Sequence, residues 1–289
     1  MNYLYYPGCS LEGTATEYHV STQAMMAALG VELREIEDWT CCGASAAESV
    51  SGLLSRVLPA RNLALAERMD SRGDIVIPCS ACYLNLRRVE VEITQEEGLL
   101  DKLNAALGEE GLSYRGSTKS RHLLDVLARD VGAQQIGQRT QRPLEGLRVA
   151  PYYGCQCLRP YGGYDDPQQP RSMDPLIEAT GAEVHPWTMG AKCCGAGLMT
   201  TKKEVAVELT GAILRAARGA DCIVTVCPMC QMNLDSYQGQ AAKVQGQDLG
   251  ISVLYLPQLV GLALGLTAEE VRLKSNLALT DSLRQKLAV

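Results

Sequence analysis

Tyr5-Tyr6-Pro7-Gly8-Cys9, Cys41-Cys42-Gly43 and Cys79-x-x-Cys82 stand in the first half of the chain. Pro151-Tyr152-Tyr153-Gly154-Cys155, Cys193-Cys194-Gly195 and Cys227-x-x-Cys230 stand in the second. Matched cysteines of the two copies lie 146 to 152 residues apart. Between the cysteines of successive motifs there are 31 and 36 residues in the first copy, and 37 and 32 in the second. Ten of the 12 cysteines therefore form two sets of five in the same order. Chance does not produce such a match. The chain reads as an internal duplication in which each half builds a sulfur-rich metal site.

The length of 289 residues suits two medium domains. The duplication places them at residues 1–140 and 146–289, with the polar, aperiodic stretch 132–146 as linker. A net charge of −6 and the lack of a long basic run argue against nucleic acid as a partner. The N-terminus lacks the basic and apolar regions of a signal peptide. The longest apolar stretch, 251–266, is broken by Ser252, Pro257 and Gln258, so no transmembrane segment is expected. These features predict a cytoplasmic protein, whose cysteines would serve as metal ligands or redox thiols rather than disulfides.

Each half opens with a β-like run into its first cysteine. Helices are predicted at 14–29 and 173–180, ending at Gly30 and Gly181. Strands follow at 31–33 and 182–184. Each leads to a Cys-Cys-Gly turn and a long helix, 45–69 or 200–218, with Pro59 predicting a kink or break near Leu58. Further strands, 74–77 and 221–226, run into Cys-x-x-Cys and more helix. Residues 118–131 read as a helix. Thr267-Ala268-Glu269-Glu270 reads as a capping box opening a last helix. The loop 156–170, rich in Pro, Gly and Asp, has the length of a functional loop. Strands alternating with helices predict an α/β fold in which each half has a small, mainly parallel sheet flanked by helices. The cysteines would sit at strand ends and helix starts, where such sheets place ligands.

Structural zinc takes four ligands, usually from two Cys-x-x-Cys pairs. Each half here offers five thiols and one such pair. Adjacent cysteines diverge, which suits a multinuclear iron–sulfur cluster; zinc in one half, or redox thiols without metal, are the alternatives. A cubane cluster needs only four cysteines, and the closely spaced ferredoxin run is absent.

The duplicated pattern Cys…Cys-Cys-Gly…Cys-x-x-Cys resembles the CCG domain. Over essentially its whole length the chain is similar to the B-subunit family of heterodisulfide reductase. That resemblance implies two noncubane [4Fe-4S] clusters. Cys9, Cys41, Cys42, Cys79 and Cys82 would hold the first; Cys155, Cys193, Cys194, Cys227 and Cys230 would hold the second. In that family a disulfide is split in a cavity shared by the clusters, each taking one sulfur and supplying one electron. The resemblance also implies two partners, a ferredoxin-like iron–sulfur subunit (the C component) and a flavin-bearing subunit (the A component), with a disulfide or sulfur carrier as substrate. The 32-residue interval before Cys227 is shorter than the family's usual spacing. A related CCG arrangement relays electrons towards quinone without chemistry of its own, and this is the alternative function.

No G-x-G-x-x-G follows a strand and no P-loop is present, so electrons would come from a partner. The cavity is expected to be lined by Cys9, Cys41, Cys155 and Cys193, the catalytic candidates. Lys192, beside Cys193, is a candidate for steadying a thiolate or meeting an anionic substrate, and Arg159 and Tyr161 are candidate lining residues. His185 is the best histidine for proton delivery, although a structural role suits it better. Cys222 reads as a small buried hydrophobe. Cys157 reads as a buried thiol or a cavity-lining one.

Overall fold

The computed structural model describes residues 1–44, 46–70 and 73–288. Among the described residues, eight strands form two four-stranded sheets, all of whose pairings are parallel. The first comprises β1 (Asn2–Tyr5), β2 (Glu32–Glu35), β3 (Asp74–Ile77) and β4 (Lys119–His122), in the order β2-β1-β3-β4. The second comprises β5 (Arg148–Tyr152), β6 (Glu183–Val184), β7 (Cys222–Thr225) and β8 (Ser252–Tyr255), in the order β6-β5-β7-β8. The duplication read from the cysteines is thus repeated in the topology.

The strand sequences explain their places. β7 and β8 are buried throughout, as expected for parallel strands covered on both faces. β2 is at the sheet edge, and its Glu32, Arg34 and Glu35 keep that edge charged. In a parallel sheet every C-terminal strand end lies along one edge. β1, β2 and β3 each run out toward a cysteine motif, so residues up to 73 positions apart meet there; β5, β6 and β7 do the same in the second half.

One apolar core joins the halves. The helix Thr16–Ala28 packs on the helix Leu256–Ala263, and Tyr18 stacks on Tyr255 with ring centroids 4.1 Å apart and planes 7° from parallel. A smaller core around Ala150, Ile213, Ile223 and Val253 lies within the second half.

Several sequence expectations are corrected. Residues 118–131 begin as β4, because Lys119–His122 pairs with Asp74–Ile77; a short helix, Leu123–Val126, and a wider turn follow. The stretch 132–146 is no plain linker. It contains the helix Gly132–Arg139, with Ile136 buried. Gln135 and Arg139 donate to Leu29 O and Ala28 O in the first half, while Thr140 Oγ1 donates to Ala179 O in the second. The long helix expected at 45–69 is divided into Ala46–Val50 and Leu54–Met69, Ser45 lying outside the described residues. The break falls at Ser51–Leu53, not at Leu58: the second helix runs through Pro59, whose position has no N–H to give to Ser55 O. The helix expected at 173–180 is only Asp174–Glu178. The capping box forms, with Thr267 N and Oγ1 donating to Glu270 and Glu270 N donating back to Thr267 Oγ1. It closes a turn leading to a 3-10 turn at Leu273–Ser275; the last α-helix is Asp281–Leu287, capped by Thr280.

Candidate cysteine centres

The ten paired cysteines come together in their two sets, each at one sheet edge. In the first, Cys9 Sγ lies 3.5 Å from Cys41 Sγ, and Cys42 Sγ 3.4 Å from Cys82 Sγ. Cys41 and Cys42, and Cys79 and Cys82, also influence each other's charge, so the five thiols act on one another. In the second, Cys194 Sγ lies 3.6 Å from Cys230 Sγ, and Cys155 and Cys193, like Cys227 and Cys230, influence each other's charge. All twelve cysteines are free thiols. The sets also approach each other: Cys79 and Cys227 influence each other's charge across the interface.

Local structure explains these approaches. A Cβ on Gly8 would stand 2.8 Å from Cys82 Sγ, and one on Gly154 2.9 Å from Cys230 Sγ. Both glycines have positive φ, so only glycine lets the first motif close on the third. The Cys-Cys-Gly turns are held by the backbone. Gly43 N–H points to Cys41 Sγ at 3.4 Å, and Gly195 N–H to Cys193 Sγ at 3.3 Å.

Two residue pairs escaped the sequence reading. Tyr6 OH donates to Thr40 O at 2.7 Å, and its counterpart Tyr152 OH donates to Lys192 O at 2.6 Å. Each anchors the carbonyl just before a Cys-Cys pair, so these tyrosines position the turns as well as pack. Asn85 Nδ2 faces Cys42 O at 3.5 Å and Cys42 Sγ at 3.7 Å, while Asn233 Nδ2 donates to Cys194 O at 3.1 Å. Both asparagines stand three residues past a Cys-x-x-Cys motif, and that repeated offset was a readable signal.

Crowding governs the thiol charges. Hydrogen bonds from Cys41 and Cys82 hold Cys42 well below the ordinary thiol range. Bonds from Cys230 and Cys79 do the same for Cys227. The Cys155 thiol brings Cys193 down to about 6, helped by Gly195 N–H and by Arg159. Donating neighbours go the other way: the bond to Cys42 and then burial raise Cys41. Each set thus holds thiolate character by sharing protons, and a metal group would take the place of those protons. Among the described residues no cluster of three or more His, Cys, Asp or Glu side chains has the geometry of a site for one metal ion. The donor chemistry, five crowded thiols with N–H groups directed at them, fits a multinuclear iron–sulfur group.

Exposure divides each set. Cys42, Cys79, Cys82, Cys194, Cys227 and Cys230 are buried; Cys9, Cys41 and Cys193 are exposed and Cys155 is half-buried. Cys9 and Cys41 border a cavity of about 600 Å³ whose rim carries Glu12, Glu35, Glu37 and Asp38. Lys192, Arg159, His185 and Trp187 border another of about 950 Å³. Neither contains thiols of both halves. Arg159 is tied to Ala191 O and Pro167 O. His185 faces Arg148, and burial, then that charge, lower its pKa, so it is neutral near pH 7. Tyr161 O is instead near Tyr83 OH, at 3.4 Å. The loop 156–170 reaches the first half: Tyr83 OH donates to Gly162 O, and Tyr164 stacks with His122.

Cys157 is fully buried and donates to Tyr153 O at 3.2 Å. Cys222 is fully buried in β7, away from the thiol sets. Cys222→Ser is therefore expected to keep the full metal content and lose about 1–3 kcal/mol of stability through its buried hydroxyl. Denaturant unfolding and metal analysis of the variant check this; metal loss would make Cys222 a ligand.

A family model, the cysteine-rich domain CCG, matches residues 3–87 and again 149–235. The 8-methylmenaquinol:fumarate reductase membrane anchor subunit of Wolinella succinogenes is 39% identical over 278 residues, covering 95% of this chain and 96% of that one. The B subunit of the ferredoxin/F(420)H(2)-dependent CoB-CoM heterodisulfide reductase of Methanosarcina acetivorans is 31% identical over 277 residues, covering 93% and 91%. A solved hypothetical protein from Helicobacter pylori shares the fold, with a TM-score of 0.76 at 12% identity; the match covers 97% of this chain and 52% of that protein, so this chain spans about half its length. No helix among the described residues is long and apolar enough to cross a membrane. With both copies of the motif matched by the same model and a heterodisulfide reductase B subunit matched along nearly the whole chain, this protein belongs to the duplicated CCG-domain family of such B subunits.

Proposed function

We propose that the chain is the sulfur-reacting iron–sulfur subunit of a multi-subunit oxidoreductase of the heterodisulfide reductase type. Cys9, Cys41, Cys42, Cys79 and Cys82 would hold one noncubane [4Fe-4S] cluster, and Cys155, Cys193, Cys194, Cys227 and Cys230 a second. Such clusters supply one-electron transfer. Reduction of a disulfide, RSSR′ + 2e⁻ + 2H⁺ → RSH + R′SH, takes two electrons, one for each set. The reverse would oxidise thiols or sulfane sulfur.

The observation that carries this reading is the division of each set. The buried ends approach each other at Cys79 and Cys227, while Cys9, Cys41 and Cys193 are exposed and Cys155 is half-buried. The chain's own residues then have defined parts. Tyr6 and Tyr152 fix the Cys-Cys turns. The Gly43 and Gly195 amides donate to the exposed sulfurs. Lys192 and Arg159 put positive charge beside Cys193, where a thiolate product would leave. Electrons would arrive through two partner subunits, one ferredoxin-like and one flavin-bearing.

The similarity to a fumarate reductase subunit favours a second reading, electron relay in a quinone-linked complex. Iron-loaded protein, reduced with a viologen dye, separates the two. Dye oxidation on adding a thiol-derived disulfide supports sulfur chemistry; oxidation by a quinone with no response to any disulfide supports the relay.

A further inference from the structure

The mouths of the two thiol sets differ in charge. Glu12, Glu35, Glu37 and Asp38 border the cavity at Cys9 and Cys41, and among the described residues no lysine or arginine lines it. Arg34 and Arg61 pair with Glu37 and Asp38 at 3.8 and 2.7 Å, but Glu12 and Glu35 still keep this mouth acidic. The second half differs at matched positions. Lys192 precedes Cys193 where Thr40 precedes Cys41, and Arg159 stands four residues past Cys155 where Gly13 stands four past Cys9. Both cations border the cavity of about 950 Å³. The duplication has kept the thiols and changed the charge around them.

The second-half cavity has the size of a small-molecule site. Arg159 donates to Ala191 O at 2.8 Å and to Pro167 O at 2.9 Å, so carbonyl groups fix the guanidinium without cancelling its charge. Ala191 directly precedes Lys192, which places that guanidinium beside the backbone carrying the second cation. Two carboxylates also border the cavity. Asp174 is offset by Arg171 at 3.7 Å, which leaves Glu178 alone against Arg159 and Lys192. Trp187, fixed by its Nε1 bond to Pro151 O at 3.0 Å, adds an aromatic wall. A concave site with surplus positive charge, an anchored guanidinium and an aromatic wall suits a small organic anion.

We propose that this cavity binds the carboxylate-type anionic group of a small organic sulfur compound, held on Arg159 and Lys192 with its sulfur toward the Cys193 side of the second set. The inference rests on the reading that this set reacts with sulfur. The acidic mouth at Cys9 and Cys41 repels the same group, so an unsymmetrical disulfide is steered with its anionic half to the second set.

Tryptophan emission tests the inference, because the chain's two tryptophans stand one in each mouth, Trp39 in the first and Trp187 in the second. The probe is 3-(methylthio)propionate, an anionic thioether without a disulfide to reduce; 3-(methylthio)propanol is its neutral match. In iron-loaded Trp39→Phe protein the anion is expected to change Trp187 emission saturably, and to bind about tenfold more tightly than the alcohol. In Trp187→Phe protein, Trp39 emission does not respond to the anion. Added to Trp39→Phe, Lys192→Gln weakens the anion's binding about tenfold, Arg159→Gln weakens it likewise, and Lys192→Arg keeps it. With a reduced viologen dye, Lys192→Gln also raises the KM for 3,3′-dithiodipropionate more than that for the neutral bis(2-hydroxyethyl) disulfide. No saturable response of Trp187, equal affinity for the two thioethers, or unchanged binding in both Lys192→Gln and Arg159→Gln overturns the inference. Anion binding at Trp187 with no dye oxidation by any disulfide would keep the cavity's assignment and count instead against the sulfur chemistry.

Discussion

Cys42→Ala and Cys194→Ala are each expected to lose about half of the bound iron, from about eight atoms per chain to about four. The two sets occupy separate sheets of identical strand order, and each has its own glycine, tyrosine and asparagine supports. Cys42 is the most heavily bonded thiol of its set, contacting Cys41, Cys82 and Asn85. Removing it strips a ligand from the buried side, where solvent cannot replace it. The companion centre has its own five thiols and should keep its spectrum. Iron assay with electron paramagnetic resonance of both variants checks this. Loss of both signals from either single variant would mean that the centres assemble as one unit through Cys79 and Cys227.

The second large effect concerns the joint between halves. Tyr18→Ala is expected to cost about 3–5 kcal/mol, the range for emptying a buried aromatic site. Tyr18 is fully buried, stacks on Tyr255, and donates to Pro78 O at 3.1 Å. Pro78 immediately precedes Cys79, so the ring braces the backbone leading into the Cys-x-x-Cys motif as well as the interface. Tyr18→Phe keeps the stack and loses only that bond, at a cost of about 1 kcal/mol. Denaturant midpoints of the two variants provide the comparison. Equal losses in both would assign the stability to the hydroxyl and leave the stack without weight.

Much of this organisation was legible because cysteine spacing reports a local rule. A short strand leads toward each of the three cysteine motifs in each half, and parallel pairing brings those motifs to one edge. Residues 118–131 misled because Leu123, Leu124, Val126 and Leu127 give a helical period that masks the strand before them. Lys119–His122 has no apolar alternation of its own; pairing to β3 decides it. The stretch 132–146 looked like a linker because its main anchors are polar groups donating to carbonyls at helix ends, and no hydrophobic pattern encodes such contacts. The break between helices lies upstream of Pro59, where Gly52 follows Ser51. The approach of Cys79 to Cys227 depends on how the sheets pack through Tyr18, Tyr255 and the loop 156–170. That is a long-range outcome, and spacing within one half carries no trace of it.

The central claim is that each of the two matched thiol sets holds an iron–sulfur group. Iron, zinc and acid-labile sulfide determination on anaerobically purified protein tests it most directly. The account predicts about eight irons with a comparable amount of sulfide and no stoichiometric zinc. About four irons with about one zinc per chain would contradict it, by making one set a structural zinc site.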